Sequence, residues 1–404
     1  MQRNTEVMCD DSLLENELFD SQLQINDDKE LLNNVDAPKQ SSLVTVFCIW
    51  NSMVGFSLVA LPWAINKAGF GTSLLIFGVG GTLSFYTAWL FLDSTRHIGT
   101  TAAVEFFDVA RYHFGRWGER LSVIFSLTPM IGNLVLGTVF LCEFLYNFGT
   151  SVYDIVWDNS TDFSELIFNA SFGCDLHCPT HQKQPSQMGR YFGDQSSGSS
   201  HLATAALDAS SSFSRWWNVR YSVPFYLTLI IFPLLNFRSA LFFAKFGILG
   251  ALCTLYFMVL MFMKSGICGL SVDFIDTSSI YYIPEFRWTF PVLSGTLSSA
   301  YFVHNFILSI MKSQRNPQNN TRDLITAYCL VSSTYILIGF ITFFAFNGPK
   351  DCISDNYLNN FSSYDLLASF GQGMIVFQVV VTAPYFYYII RQQLFGYFFG
   401  TPYP

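Results

Sequence analysis

The densest grouping of side chains that could hold a ligand lies within an apolar stretch: Asn51, Ser52, Met53, Val54, Gly55, Phe56 and Ser57, followed by Leu61-Pro62-Trp63. An amide, two hydroxyls and a glycine suit ligand binding through the backbone better than acid–base work. Glycine loosens a helix, and an unwound turn frees N–H groups that attract a carboxylate and carbonyls that attract a cation. The alternative is a Gly- and Ser-rich helix packed closely on a neighbour. A second stretch, Ser294-Gly-Thr-Leu-Ser298-Ser299-Ala300, repeats the design, with His304 and Asn305 one to two turns on. This correspondence favours the ligand reading, because an inverted repeat of five plus five helices carries its two broken helices at equivalent positions. His304 serves either proton coupling or, the reading favoured here, a neutral hydrogen bond to a neighbouring helix.

The elements that must position these residues follow from composition. Of 404 residues, 51% are hydrophobic, 18% aromatic and 12% charged, against roughly 25% charged in a soluble domain. Of the net charge of −8, residues 1–41 supply −7 (3 basic, 10 acidic). No basic surface for nucleic acid is expected. Eight runs lack Asp, Glu, Lys and Arg: Leu43–Asn66, Ala68–Leu92, Leu121–Cys142, Tyr221–Phe237, Phe246–Met263, Trp288–Met311, Leu324–Pro349 and Leu366–Ile390. At 17 to 26 residues each, they match the ~17–25 that a helix needs to cross the hydrocarbon. His304 is the one histidine, acid or base inside them. The expectation is an all-α polytopic membrane protein with eight spans.

Basic residues cluster after the even-numbered runs (Arg96, Arg111, Arg116 and Arg120; Arg238 and Lys245; Lys312, Arg315 and Arg322; Arg391). The positive-inside tendency then puts the N-terminus in the cytosol. The acidic segment 1–41 has no long apolar stretch, so no cleaved signal is expected. The acceptor patterns at Asn159, Asn169 and Asn360 all fall on the lumenal face, whereas Asn319 falls on the cytosolic face and is read as chance. Loop 148–220 is expected to be largely disordered or a glycan-bearing cap. Residues 101–115 read as a helix along the membrane surface, with Val104, Phe107, Ala110 and Phe114 on one face.

Cys174, Cys178, Cys268 and Cys352 lie in lumenal loops, where disulfides persist. The spacing Cys174…Cys178…His181 lacks the paired ligands of a zinc module. In the tail, Asp27 stands ahead of Leu31-Leu32 in the acidic-dileucine pattern of a sorting signal, although a solvated acidic stretch accounts for it equally. No P-loop, Ser/His/Asp grouping or HExxH occurs, so enzyme chemistry is not expected.

The segments SSLVTVFCIWNSMVGFSLVALPWAINKAGF (41–70), VPFYL and PLLNFRS (223–239), FFAKFGILG (242–250), IPEFRWTFPVLSGTLSSAYFVHN (283–305) and RDLITAYCLVSSTYILIGF (322–340) resemble the amino acid/auxin permease group. Within it, they are similar to the lysosomal sodium-coupled neutral amino acid transporters of solute carrier family 38. The resemblance covers about residues 41–400. It implies a leucine-transporter-like inverted-repeat core of 11 spans that moves leucine, glutamine and related amino acids out of lysosomes under arginine regulation. It also implies signalling to the Ragulator–Rag scaffold and mTORC1. Asn51 to Phe56 correspond to the family's binding stretch, Asn51 and Thr382 to its sodium ligands, and Cys178 with Cys352 to its lumenal disulfide. The chain differs from the family at Phe56, where the family has threonine. A one-position displacement of the eighth-helix hydroxyl would put Val381 at the ion-site place.

These readings give three parts: an acidic tail 1–41, a first five-helix repeat 42–265 with the loop 148–220, and a partial second repeat of three helices, 287–400. Closing the second repeat takes two more helices, and with the family's eleventh about 70–90 residues are expected beyond Gly400 at ~20 per span. The function expected is lysosomal amino acid transport by alternating access, with the substrate held at the breaks around Gly55 and Ser298. Sodium is the only ion expected, and membrane lipid and the amino acid are the partners. The rival readings are an amino acid sensor or scaffold that moves little substrate, and a short isoform inactive in transport.

Overall fold

In the computed structural model of the chain, residues 40–96, 106–157, 163–178, 213–235, 240–312 and 314–399 are described. Among them the structure is helical, with three isolated β-bridges and no strand. The helices are α1 (Ser42–Met53), α2 (Ser57–Ala68), α3 (Phe70–Arg96), α4 (Phe106–Trp157), α5 (Phe163–Phe172), α6 (Ser222–Leu235), α7 (Ala240–Cys268), α8 (Pro291–Ala300), α9 (His304–Lys312), α10 (Asn320–Ala345) and α11 (Leu366–Phe399).

Every apolar run falls on one helix or one broken pair. By length and apolarity, however, five helices among the described residues can cross a membrane (in α3, α4, α7, α10 and α11), and six if the bent pair α1–α2 counts as one. The expectation of eight is therefore not met by single helices. The fourth run yields the 14 residues of α6, about 21 Å at 1.5 Å per residue, against a hydrocarbon core of ~30 Å. The sixth is divided into helices of 10 and 9 residues. Large apolar side chains such as Leu75, Val79, Phe125, Val139, Phe225 and Val259 are exposed along these helices, as a lipid-facing surface requires. Of the expected helix 101–115, residues 106–115 are described and are helical from Phe106 up to Gly115, whose φ of 67° is open to glycine and interrupts α4. Its Phe114 is exposed, not packed.

The described residues form two compact units. One draws on the described residues within 40–49, 84–128 and 303–327, and the other on those within 50–83, 129–302 and 328–399. They cross-cut the two repeats expected from the sequence. In the first unit, Gln314 donates to Asp323, and the Gln314 and Arg322 side chains both reach Ser42 Oγ at 3.4 Å. In the second, α2 packs on α8 and α7 on α11. The turn between α2 and α3 is fixed by Gly69 (φ 86°), where an added Cβ would meet Glu285 backbone at 2.8 Å. Phe70 N–H donates to Pro284 O and Arg287 N–H to Ala68 O, so the strap leading into α8 is held on the end of α2.

Of the stretch 148–220, expected to be largely disordered or a glycan-bearing cap, residues 148–157, 163–178 and 213–220 are described and residues 158–162 are not. The stretch begins as the last turns of α4, continues as α5, and is tied down at 173–178; residues 179–212 lie outside the described ones. Lys264 Nζ, buried on α7, gathers Ala170 O (2.9 Å) and Ser171 O (2.8 Å) at the end of α5 and pairs with Asp365 Oδ2 at 2.5 Å. Asp365 in turn accepts from Ala368 N–H at the start of α11. Burial raises the Asp365 carboxyl, while Lys264 pulls it back down. Lys350 does the same work at the end of α10, donating to Phe343 O (3.0 Å) and Phe346 O (2.9 Å). Burial lowers its pKa to about 8.

Removing one partner of a buried ion pair strands the other charge, at ~3–5 kcal/mol. Asp365→Asn is expected to lose about that much stability. Asp351→Asn, which breaks the exposed Arg287–Asp351 pair (2.8 Å), should lose under ~1 kcal/mol. Thermal melts of both variants in detergent micelles without reductant check the contrast.

Candidate functional site

The first break is Val54-Gly55-Phe56, between α1 and α2, where the chain bends by 57°. Val54 N–H still donates to Trp50 O (2.8 Å), and helical bonds resume with Leu58 N–H to Gly55 O (3.2 Å) and Val59 N–H to Phe56 O (3.3 Å). The amides of Gly55, Phe56 and Ser57 have no acceptor among the described residues, and no side chain caps α2. Around Gly55 there is open space, with nothing within 4 Å of where a Cβ would stand. N–H groups of this kind at a helix N-terminus have the chemistry to receive an anion.

The carbonyls of the break are treated differently. Tyr335, fully buried on α10, shares its hydroxyl proton between Met53 O (2.7 Å) and Ala300 O (3.0 Å) and accepts from Ser57 Oγ (3.3 Å). Gln378 Nε2, on α11, donates to Thr254 Oγ1 (2.8 Å) and at 3.4 Å to Val54 O. Trp50 Nε1 donates to Thr334 Oγ1 (3.2 Å), anchoring the last turn of α1. Asn51 lies against Gly250, where an added Cβ would come 3.5 Å from its Nδ2 and 3.6 Å from Gln378 Cγ. The Phe56 ring rests on α4, 5.4 Å from Phe140 and over Gly137, and Phe140 stacks on Phe144.

The second break comes after Ala300, at Tyr301-Phe302, about a turn later than the Ser298 position expected. Ser298 is inside α8, exposed, with its hydroxyl donating to Ser294 O (2.8 Å). A serine that back-bonds four residues earlier fits a helix without breaking it. Ser299 donates to Asn133 Oδ1 on α4. Tyr301 is buried and donates to Ser332 Oγ (3.0 Å), a pair that fits because Gly81 lacks a side chain there.

The expected site residues are thus only partly gathered. Asn51, Ser52, Met53, Val54, Gly55 and Phe56 form the break, and Ser299 joins α8 to α4. His304 and Asn305 make their contacts in the other compact unit. His304 Nε2 lies 2.9 Å from Thr87 Oγ1, and Asn305 Nδ2 donates to Ser126 O at 3.0 Å. The first contact is a hydrogen bond between α9 and α3. Tyr335, Gln378, Asn133 and Thr334 were not singled out, although each is a polar side chain inside an apolar run.

The side chain that α11 brings to the break does not suit a sodium ion held between Asn51 and Thr382. Thr382 Oγ1 donates to its own helix, at Gln378 O (2.9 Å) and Val379 O (3.3 Å). The group of α11 that reaches the break is an N–H of Gln378, and the Met53 and Val54 carbonyls already accept hydrogen bonds.

Cys178 is bonded to Cys352, as the resemblance implies, and Cys174 to Cys268. Of the expected glycan acceptors, Asn169 is exposed on α5 and Asn159 lies outside the described residues. Asn360 is a correction. It is fully buried, its Nδ2 donates to His177 O (2.9 Å) and Cys352 O (3.0 Å), and its Oδ1 accepts from Ser354 N–H. An amide nitrogen clamped in this way has no room for a sugar. The sorting residues Asp27, Leu31 and Leu32 lie outside the described residues.

Tyr335→Phe keeps the ring and deletes the proton that serves two carbonyls, so a loss of about 2 kcal/mol is expected. Ser298→Ala should stay within ~0.5 kcal/mol. Melting temperatures of the purified variants test both.

Residues 38–174 and 198–401 match the family model described as transmembrane amino acid transporter protein. The chain is 39% identical over 372 residues to the sodium-coupled neutral amino acid transporter 9 homolog of Caenorhabditis elegans, covering 91% of this chain and 60% of that protein. It is 38% identical to neutral amino acid transporter 9 of Danio rerio (91% and 66%) and 35% identical to that of Rattus norvegicus (91% and 64%). The chain therefore spans about 60–66% of the length of these relatives.

Proposed function

The chain belongs to the transmembrane amino acid transporter family, and from that premise we propose that it binds neutral amino acids at the break in α1–α2 and moves them by alternating access. The observation that carries this reading is the asymmetry of the break. Its carbonyls at Met53 and Val54 are satisfied by protein donors, while the amides of Gly55, Phe56 and Ser57 have no acceptor among the described residues and open space lies beside Gly55. Such a site accepts a carboxylate, the group common to all amino acids. The Phe56–Phe140–Phe144 row offers an apolar wall to the substrate side chain, which suits leucine better than arginine. The names of the relatives, neutral amino acid transporters, support the substrate class.

The finer parts of the proposal extend the family resemblance: a lysosomal membrane with the N-terminus in the cytosol, arginine as regulator, and the Ragulator–Rag scaffold with mTORC1 as signalling partner. The tail through which a scaffold would be engaged, residues 1–39, lies outside the described residues.

Binding and uptake of labelled leucine, glutamine and arginine by the reconstituted chain test the proposal. Saturable leucine and glutamine signals are expected. Gly55→Leu, which fills the space beside the free amides, should weaken binding at least ~10-fold, about 1.4 kcal/mol, with little change in melting temperature. Absence of saturable binding for all three amino acids would reject the reading.

A further inference from the structure

We infer that the Gln378 carboxamide holds the place of a coupling cation at the break, so that amino acid binding by this chain does not require sodium. This deepens the reading of the break as the amino acid site and rests on it for its consequence, although its first test does not.

The end of α1 carries the negative pole of that helix, and the carbonyls freed there are the groups that a cation would neutralise. Here neutral donors face them, with Tyr335 O–H on Met53 O and Gln378 N–H on Val54 O. The orientation of the Gln378 amide follows from its partners. Val54 O can only accept. Thr254 Oγ1 spends its proton on Gly250 O (3.2 Å) and so accepts from Gln378 as well. Both neighbours demand the nitrogen, and a flipped amide would set oxygen against oxygen. Gln378 is buried, so the contact is made away from competing water, where an amide dipole is most effective. The next side chains along α11 are Val379, Val380 and Val381, and the first hydroxyl after them, Thr382, comes a full turn beyond Gln378 and gives its proton to its own helix. Helix α11 therefore supplies the break with a partial positive charge from an N–H, where an ion site would need oxygen.

Melting temperatures of the purified full chain in sodium, potassium and choline chloride at equal ionic strength, with no amino acid present, give the first test. The wild type is expected to melt at one temperature in all three salts. Gln378→Ala leaves Val54 O and Thr254 Oγ1 around a vacated space. Gln378→Glu sets a carboxylate oxygen against the same two atoms. At least one of them is expected to gain a sodium-specific rise of about 3 °C or more at saturation. A sodium-specific rise in the wild type overturns the inference, and so does its absence from both variants. A second measurement needs the wild type alone: the leucine-induced rise in melting temperature is expected to be equal in sodium and in choline, and dependence on sodium overturns the inference. A leucine effect missing from both salts counts against the amino acid site itself, and the first measurement then still decides the role of Gln378.

Discussion

A single phenolic hydroxyl holds the interrupted helices in register. Breaking a helix inside an apolar layer strands backbone groups where no water can satisfy them, and each costs free energy unless the protein supplies a partner. Tyr335 lies between the two breaks and serves both, donating to Met53 O at the end of α1 and to Ala300 O at the end of α8 while accepting from Ser57 at the start of α2. Its ring packs edge-on against Tyr301, the first residue after α8, with centroids 5.4 Å apart. The position of each break is thereby tied to the other through one rigid side chain on α10.

The same economy of donors explains the disulfide-bearing part of the second unit. Two buried lysines act there as helix C-caps: Lys264 for α5 and Lys350 for α10. Asn360 joins the backbone at His177, Cys352 and Ser354. The bonds Cys174–Cys268 and Cys178–Cys352 close the same segment onto α7 and onto the turn after α10. Helix ends that would otherwise expose carbonyls are thus fixed, and the segment after α5 is held to the ends of the helices that frame the break.

Satisfying the carbonyls while leaving the amides open gives the first break its chemical character. With Met53 O and Val54 O both accepting hydrogen bonds, the groups left to address a ligand are N–H donors at the positive end of α2. A carboxylate is the complement of such a site, and a second positive charge is not.

By itself the sequence determined the membrane character, the positions of the helical runs, the interruption at Gly55 and the residues that form the first break. Each of these follows from local composition: absence of charge over 17 or more residues, and a glycine among small polar residues. It located the second break only to the neighbourhood of Ser298, because a serine-rich turn can either open a helix or bond back to it, and only the neighbours decide which. It assigned Asn360 a sugar from a three-residue pattern, where the fold turns the side-chain amide into internal hydrogen bonds. Tyr335, Gln378 and Asn133 stood in plain view inside apolar runs. Their meaning depends on which backbone atoms lie opposite them, a matter of contacts between residues as far as 324 apart in the chain. Tertiary structure alone decided which freed groups of the break are answered from within the protein and which are left for a ligand, because that balance is set by donors arriving from other helices.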